Sequence, residues 1–154
     1  MVPDYGRRHL LIGWWSLCVF AAAGLALEVL LAFKLPLYVD VSNDTRRLVW
    51  RLAHAHGTLL GLVNLAFGLL LHALPGFGLA RQHTVSAWLR AATALVPGGF
   101  FLSGITFYSG DPGLGVVLVP AGAVCFILAA ALTAREISAV PTEGSAAGRA
   151  RRPR

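Results

Sequence analysis

The stretch LVWRLAHAHGTLLGLVNLAFGLLLHAL, residues 48–74, decides the fold class of this chain. Arg51 is its one Asp, Glu, Lys or Arg, and apolar side chains fill most of the other positions. A helix of this length can cross the roughly 30 Å of hydrocarbon in a bilayer. Because lipid offers no hydrogen-bond partner to backbone N–H and C=O groups, a segment inside it has to be helical. The stretch therefore predicts a transmembrane α-helix.

Three further apolar runs predict three more helices, which gives spans at about residues 9–33, 48–74, 85–108 and 112–135. The composition agrees, since 56% of the residues are hydrophobic, 13% are charged, and the mean hydropathy is +0.68. These values are far from those of a soluble globular domain. With short loops between the spans, we expect an all-α integral membrane protein, an up-down bundle of four transmembrane helices formed by residues 1–138.

The first span also has features of a secretory signal peptide. Arg7 and Arg8 precede its apolar core, and the three alanines at residues 21–23 imitate a cleavage site. The apolar run continues further than the core of a signal peptide does. We therefore expect a retained helix.

Prolines and glycines mark the expected irregularities of the last two spans. The Pro-Gly-Gly sequence at residues 97–99 lies near the middle of the third span, where the missing backbone donor predicts a kink or an unwound turn. We expect Asp111 to cap the fourth helix, with Pro112 at its first position and a bend at Pro120. The very short link between these two spans predicts that they are antiparallel neighbours.

The net charge of +6 is explained by topology. Basic residues cluster in the connections and at residues 139–154, a polar, arginine-rich stretch that is predicted to be a disordered cytoplasmic tail. The membrane side that holds both termini, called side A here, has more arginine than the opposite side B, so the positive-inside rule places both termini in the cytoplasm. The composition suggests a bacterial inner membrane. Without basic patches interleaved with aromatic residues, the sequence indicates no nucleic-acid partner.

One face of the second span is small and polar. At about 100° per residue, this face carries His54, Gly57, Thr58, Gly61, Asn64, Leu65, Gly68 and His72. Gly57 and Gly61 form a small-xxx-small pair, which permits the close approach of another helix. Helix one offers a matching stripe that includes Gly24 and Glu28. The expected helix-packing residues are Gly57, Gly61, Gly68 and Gly24.

Polar residues of helices one and two are expected to meet near side B. Glu28 is costly inside a membrane unless it is protonated, hydrogen-bonded or paired, and His54 lies at a similar depth. The candidate polar or metal cluster consists of Glu28, His54, Asn64, Tyr108 and Asp111. Imidazole and carboxylate together can form a metal, haem or proton site. A polar clasp that orients the two helices is the interpretation that we favour.

The candidate haem ligands lie near side A and are His72, His83 and His9. His54 and His72 share a helix face but lie about 27 Å apart along the axis, so they cannot serve one haem together. The His-Ala-His sequence at residues 54–56, followed by small residues, is loosely similar to histidine motifs of haem-copper oxidase and nitric oxide reductase type subunits. The likeness covers only these few residues, and we assign no family and transfer no functional residue from it.

The sequence favours a non-enzymatic role, because it contains no recognisable nucleophile–base pair, phosphate-binding loop or pair of catalytic carboxylates. We expect a structural or interaction component of the membrane without a cofactor. Its partners would be the lipid bilayer and either further copies of itself or a larger membrane complex. The alternative is an electron-transfer subunit that binds haem or a transition metal through the Glu and His residues of helices one and two.

Overall fold

The computed structural model describes residues 4–40, 44–106 and 110–139. They form four α-helices, α1 (Tyr5–Ala32), α2 (Thr45–Ala73), α3 (Leu79–Ser103) and α4 (Leu118–Ala139), and a short 3-10 helix at Leu114–Val117. The described part of the chain contains no strand. Each of the four helices is long and apolar enough to cross a membrane, which confirms the all-α expectation.

The helices begin at residues other than those predicted. α1 starts at Tyr5 rather than His9, because the Asp4 carboxylate accepts a hydrogen bond from the Arg7 backbone N–H at 2.8 Å and caps the helix. α3 starts at Leu79 rather than Val85, so its first turns are polar. The apolar pattern predicted the apolar part of each helix but not these polar ends.

Consecutive helices run antiparallel. Asn64 in α2 contacts Thr93 in α3, whereas Trp50 near the start of α2 contacts Phe101 near the end of α3. α2 packs between α1 and α3, and α4 packs along α3. Among the described residues, no Cα atom of α4 lies within 8 Å of α1 or α2. The order is up-down as expected, but the helices form an open row, and α4 does not close a ring with α1.

An apolar core joins α2, α3 and α4 in the half of the row near side A. It is formed by Phe67, Phe77, Val85, Leu89 and Ala129, all of which are buried. Phe77 belongs to the tight turn between α2 and α3, and its ring meets the edge of Phe67 at 6.0 Å between centroids. Burial of this turn fixes α2 and α3 as neighbours.

Two links lie at side B, and the one between α3 and the 3-10 helix, residues 104–113, is longer than the very short link that we expected. Residues 33–44 join α1 to α2, and Tyr38 within them is buried and stacks on Trp50, which stacks on Phe101. Arg46 donates hydrogen bonds to the carbonyl oxygens of Leu37 and Gly104, each at 2.8 Å. Arg46 thus connects the link between α1 and α2 to the end of α3.

The fourth helix begins differently from the prediction. Gly113 precedes the 3-10 helix and no side chain caps it, so Asp111 is not the cap and Pro112 is not the first helical residue. The Gly113 N–H instead bonds the Ser103 carbonyl at 2.9 Å, which ties this segment to the end of α3. Pro120 is the third residue of α4 and lies in its first turn, where proline is tolerated.

Helix α3 continues through the Pro-Gly-Gly sequence at residues 97–99 without an unwound turn. Gly99 faces the 3-10 helix and the start of α4, and a Cβ atom there would lie 2.9 Å from the Gly115 carbonyl oxygen. The small residue at this position is therefore explained by close packing with the chain that follows.

Candidate functional site

Three of the buried polar residues in the described chain form one network across three helices. His9 of α1, Asn64 of α2 and Ser86 of α3 are each 0–1% exposed. The Nδ1 atom of His9 lies 2.6 Å from Asn64 Oδ1, and its Nε2 atom lies 2.9 Å from Ser86 Oγ. The imidazole thus connects α1 to both of the other helices.

The direction of each hydrogen bond in this network follows from the Asn64 amide. Its Nδ2 atom donates to the Leu60 carbonyl at 2.7 Å and to Thr93 Oγ1 at 2.8 Å, so its Oδ1 atom must be the one that faces His9. The His9 Nδ1–H then donates to that oxygen, and Nε2 accepts from the Ser86 hydroxyl. No buried side-chain N or O atom within the described ranges lacks a partner.

Aromatic packing completes the surroundings of His9. The ring of Phe67 meets the His9 ring edge-on with 4.9 Å between centroids. This apolar wall excludes water from the imidazole, and hydrogen bonds inside such a wall gain strength from the low local dielectric. The network is therefore suited to holding three helices at fixed positions.

The interface between α1 and α2 is built from glycines that face bulky side chains. A Cβ atom on Gly57 would lie 2.3 Å from the Phe20 ring, and one on Gly24 would lie 2.5 Å from the His54 ring. The same test on Gly61 and Gly68 gives 3.1 Å and 2.9 Å to side chains of α1. The structure thus places all four predicted helix-packing glycines in the contact between α1 and α2.

A second polar region lies near side B, in a groove of ≈ 780 Å³ between α1 and α2. Glu28, Arg51, His54 and Tyr38 contribute its polar lining. His54 Nδ1 lies 2.7 Å from the Phe20 carbonyl oxygen and must donate to it, which leaves Nε2 as an acceptor in the neutral ring. Glu28 and Arg51 are exposed.

The predicted cluster is only partly assembled. Glu28 and His54 line the same groove, but Asn64 is bonded to His9 and lies about 15 Å further along α2 than His54, given 1.5 Å of rise per residue. Asp111 is exposed in the link between α3 and the 3-10 helix. Tyr108 lies outside the described residues, as does the predicted tail beyond residue 139.

The three candidate haem ligands near side A occupy separate environments. Both ring nitrogens of His9 are engaged in hydrogen bonds, so this arrangement offers neither of them to iron. His72 Nδ1 donates to the Gly68 carbonyl at 2.8 Å, and the His83 ring meets the edge of Tyr5 at 6.2 Å. Within residues 4–40, 44–106 and 110–139, no three His, Cys, Asp or Glu side chains come together as a metal site.

The sequence interpretation missed the pairing of His9 with Asn64. A signal for it was present, since His9 lies four residues before Gly13 and therefore extends the small stripe of α1 by one turn toward side A. Ser86 and Thr93 are seven residues apart and so share a face of α3 in the same way. What the sequence did not provide is the axial register between helices, which determines which polar residues meet.

Comparisons with known proteins give no match to a family model, a curated protein or a solved structure. The two polar regions are therefore interpreted from their own geometry. One is a closed network in which every buried group has a partner, and the other is an open groove lined by both signs of charge.

Proposed function

We propose that this chain is a small polytopic membrane protein that crosses the bilayer four times and acts as a structural or interaction component of the membrane. The observation that carries the proposal is the network of His9, Asn64 and Ser86. These polar groups satisfy one another inside the protein, as expected of a clasp that orients helices. A catalytic or transport site would instead need polar groups directed toward a substrate.

The proposed location is a bacterial inner membrane, with both termini in the cytoplasm. Arg81 and Arg135 lie on side A together with the arginines of the tail, whereas acidic residues such as Asp40 and Asp44 offset the basic residues of side B. The positive-inside rule supports this orientation. Fusion of a reporter to each terminus tests it: a fluorescent protein that folds only in the cytoplasm should report at both ends. Periplasmic phosphatase activity at either end would overturn the orientation.

Association with another chain follows from the open row of helices. Because α4 does not pack on α1, both helices keep one broad apolar face for lipid or for a partner, and α1 exposes Trp14 and Trp15 at 66% and 67%. A homo-oligomer or a larger membrane complex would cover part of this surface. The mass of the detergent-solubilised protein should exceed that of the 16.3 kDa monomer plus its micelle if copies associate.

The experiment that tests the role is a visible spectrum with elemental analysis on purified protein, with the wild type beside the His54→Ala variant. For a structural or interaction component, we expect no Soret band and no stoichiometric metal in either protein. A chromophore or metal that is present in the wild type and lost in His54→Ala would overturn the proposal.

A chromophore or metal that is lost in His54→Ala would favour the alternative, a haem- or metal-binding electron-transfer subunit. One observation speaks for it: His54 donates Nδ1–H to a backbone carbonyl and leaves Nε2 free, the arrangement that commonly orients a metal-ligating histidine. The carboxylate of Glu28 in the same groove could contribute a second ligand. The spectrum and the metal content decide between the two roles.

A further inference from the structure

The groove between α1 and α2 near side B presents two opposite charges that are not paired with each other. Glu28 and Arg51 are both exposed and both line the groove. The ion pairs in the described part of the chain are Arg47 with Asp44 and Arg81 with Glu136. An unpaired carboxylate and an unpaired guanidinium in one groove are complementary to a ligand that carries both a cation and an anion.

Both charges lie near the side B ends of their helices, where headgroups would lie if α1 and α2 span a bilayer. Glu28 lies about 6 Å before the end of α1 at Ala32, and Arg51 lies about 9 Å after the start of α2 at Thr45. Because α1 and α2 are antiparallel, both charges belong to the same end of the pair. The remainder of the groove is apolar and extends deeper, toward Ala21 and Leu25.

Tyr38 lines the groove together with both charges. Burial raises the pKa of the Tyr38 phenol above its ordinary value, Arg51 and Arg47 lower this pKa, and Glu28 raises it further. The Arg51 guanidinium and the Glu28 carboxylate therefore both influence the pKa of this phenol.

The chemistry of the two side chains specifies the headgroup. A guanidinium binds phosphate oxygens through paired N–H groups, so Arg51 is suited to a phosphodiester. A carboxylate gains most from a cation that donates hydrogen bonds, and a primary ammonium has three such donors whereas a trimethylammonium has none. An anionic headgroup without a cation would place no favourable charge beside Glu28.

We propose that this groove binds a phospholipid whose headgroup carries a phosphate and a primary ammonium, with the phosphate at Arg51 and the ammonium at Glu28. An acyl chain follows the apolar lining formed by Ala21, Leu25 and Ala55. The site goes beyond the structural role proposed above and rests on the placement of α1 and α2 across a membrane.

Lipid titration of the purified full-length chain tests this site. The delipidated protein in detergent micelles is titrated separately with dioleoyl phosphatidylethanolamine, phosphatidylcholine and phosphatidylglycerol, and bound lipid is counted by native mass spectrometry. We expect phosphatidylethanolamine to bind about tenfold more tightly than either of the others. Equal affinities for the three lipids would overturn the proposal.

Matched variants test which side chain is responsible for the preference for phosphatidylethanolamine. Glu28→Gln should bind phosphatidylethanolamine and phosphatidylcholine equally, and Glu136→Gln, which removes a carboxylate at the side A end of α4, should keep the wild-type preference. Arg51→Gln should weaken binding of all three lipids. Because Glu28 is exposed, its substitution leaves the helix contacts intact, and unchanged thermal unfolding in micelles verifies this. A preference that survives Glu28→Gln would overturn the proposal.

Competition by a soluble headgroup tests whether the acyl chain contributes to binding. Glycerophosphoethanolamine should compete poorly with the lipid, because it lacks the acyl chain that follows the apolar lining. Competition at equal concentration would show that the apolar part of the groove contributes nothing, and would overturn the assignment of a lipid. Lipid preference is measured independently of oligomeric mass and of the spectrum, so its failure is distinguishable from failure of the proposed function.

Discussion

The two ends of the α1–α2 pair handle polar residues in opposite ways. Toward side A, His9 is completely buried and its two ring nitrogens bond side chains of α2 and α3. Toward side B, His54 is partly exposed, bonds a single backbone carbonyl and lines an open groove with Glu28. The presence of α3 makes the difference, because it closes the first region and leaves one side of the second open. The position of the third helix therefore decides the role of a histidine in an apolar helix. Where α3 covers it, the histidine connects helices, and where α3 does not, it lines an open groove.

Replacement of the two histidines should show this difference between the two ends most strongly. His9→Ala should lower the free energy of unfolding by about 3 kcal/mol, because it leaves Asn64 and Ser86 unsatisfied in an apolar cavity. His54→Ala should cost about 1 kcal/mol, since it removes one hydrogen bond from a partly exposed site. Equilibrium unfolding in mixed micelles with rising denaturing detergent measures both values. Equal losses would contradict the distinction between the two ends.

A glycine in the tight contact between α1 and α2 should tolerate substitution less well than a glycine that faces open space. Gly57→Ala should cost about 2 kcal/mol, because its Cβ would lie 2.3 Å from the Phe20 ring. Gly98→Ala is the matched control in α3, where the added Cβ would have no atom within 4 Å apart from those of its own helical turn. Its stability should be unchanged or rise by up to about 1 kcal/mol, since alanine forms helix better than glycine. The same unfolding assay compares them, and a loss at Gly98 as large as that at Gly57 would contradict the packing.

The ion pair at side A should contribute least to the free energy of unfolding. Arg81 Nε lies 3.3 Å from Glu136 Oε2, and the arginine side chain is 42% exposed. Glu136→Gln should therefore change the free energy of unfolding by less than about 0.5 kcal/mol, a difference that should shrink further in high salt. Glutamine also keeps an acceptor for the Gly78 backbone N–H, which now donates to Glu136. A loss above 1 kcal/mol at high salt would mean that this pair is more than a surface contact.

Much of the helix contact could be predicted from residue types alone. Gly57, Gly61 and Gly68 share a helix face, and small residues on a shared face favour close packing wherever the partner helix lies. The identity of the polar partners could not be predicted in this way. We predicted a cluster of Glu28 with His54, which lies at a similar depth, and with Asn64. Sliding two helices by a few residues exchanges one polar partner for another without changing either sequence pattern.

The beginning of α4 shows the same limit for local signals. Asp111 and Pro112 have the residue types of a helix start, and an isolated segment with this sequence would be expected to use them. In the folded chain Gly113 instead bonds the end of α3, and the helix starts beyond it. A tertiary hydrogen bond and close backbone packing outweighed a capping preference of about 1 kcal/mol.

The sequence by itself determined that the chain is helical and that four of its segments are apolar enough to cross a membrane, because hydropathy and length act within each segment and need no partner. It also determined that α1 and α2 approach closely, since glycines permit this locally. Only the tertiary structure decided that His9 meets Asn64 and Ser86, that the row stays open at α4, and that Glu28 and Arg51 face one groove. These features depend on the relative positions of helices, which are fixed by many packing contacts acting together across the whole bundle.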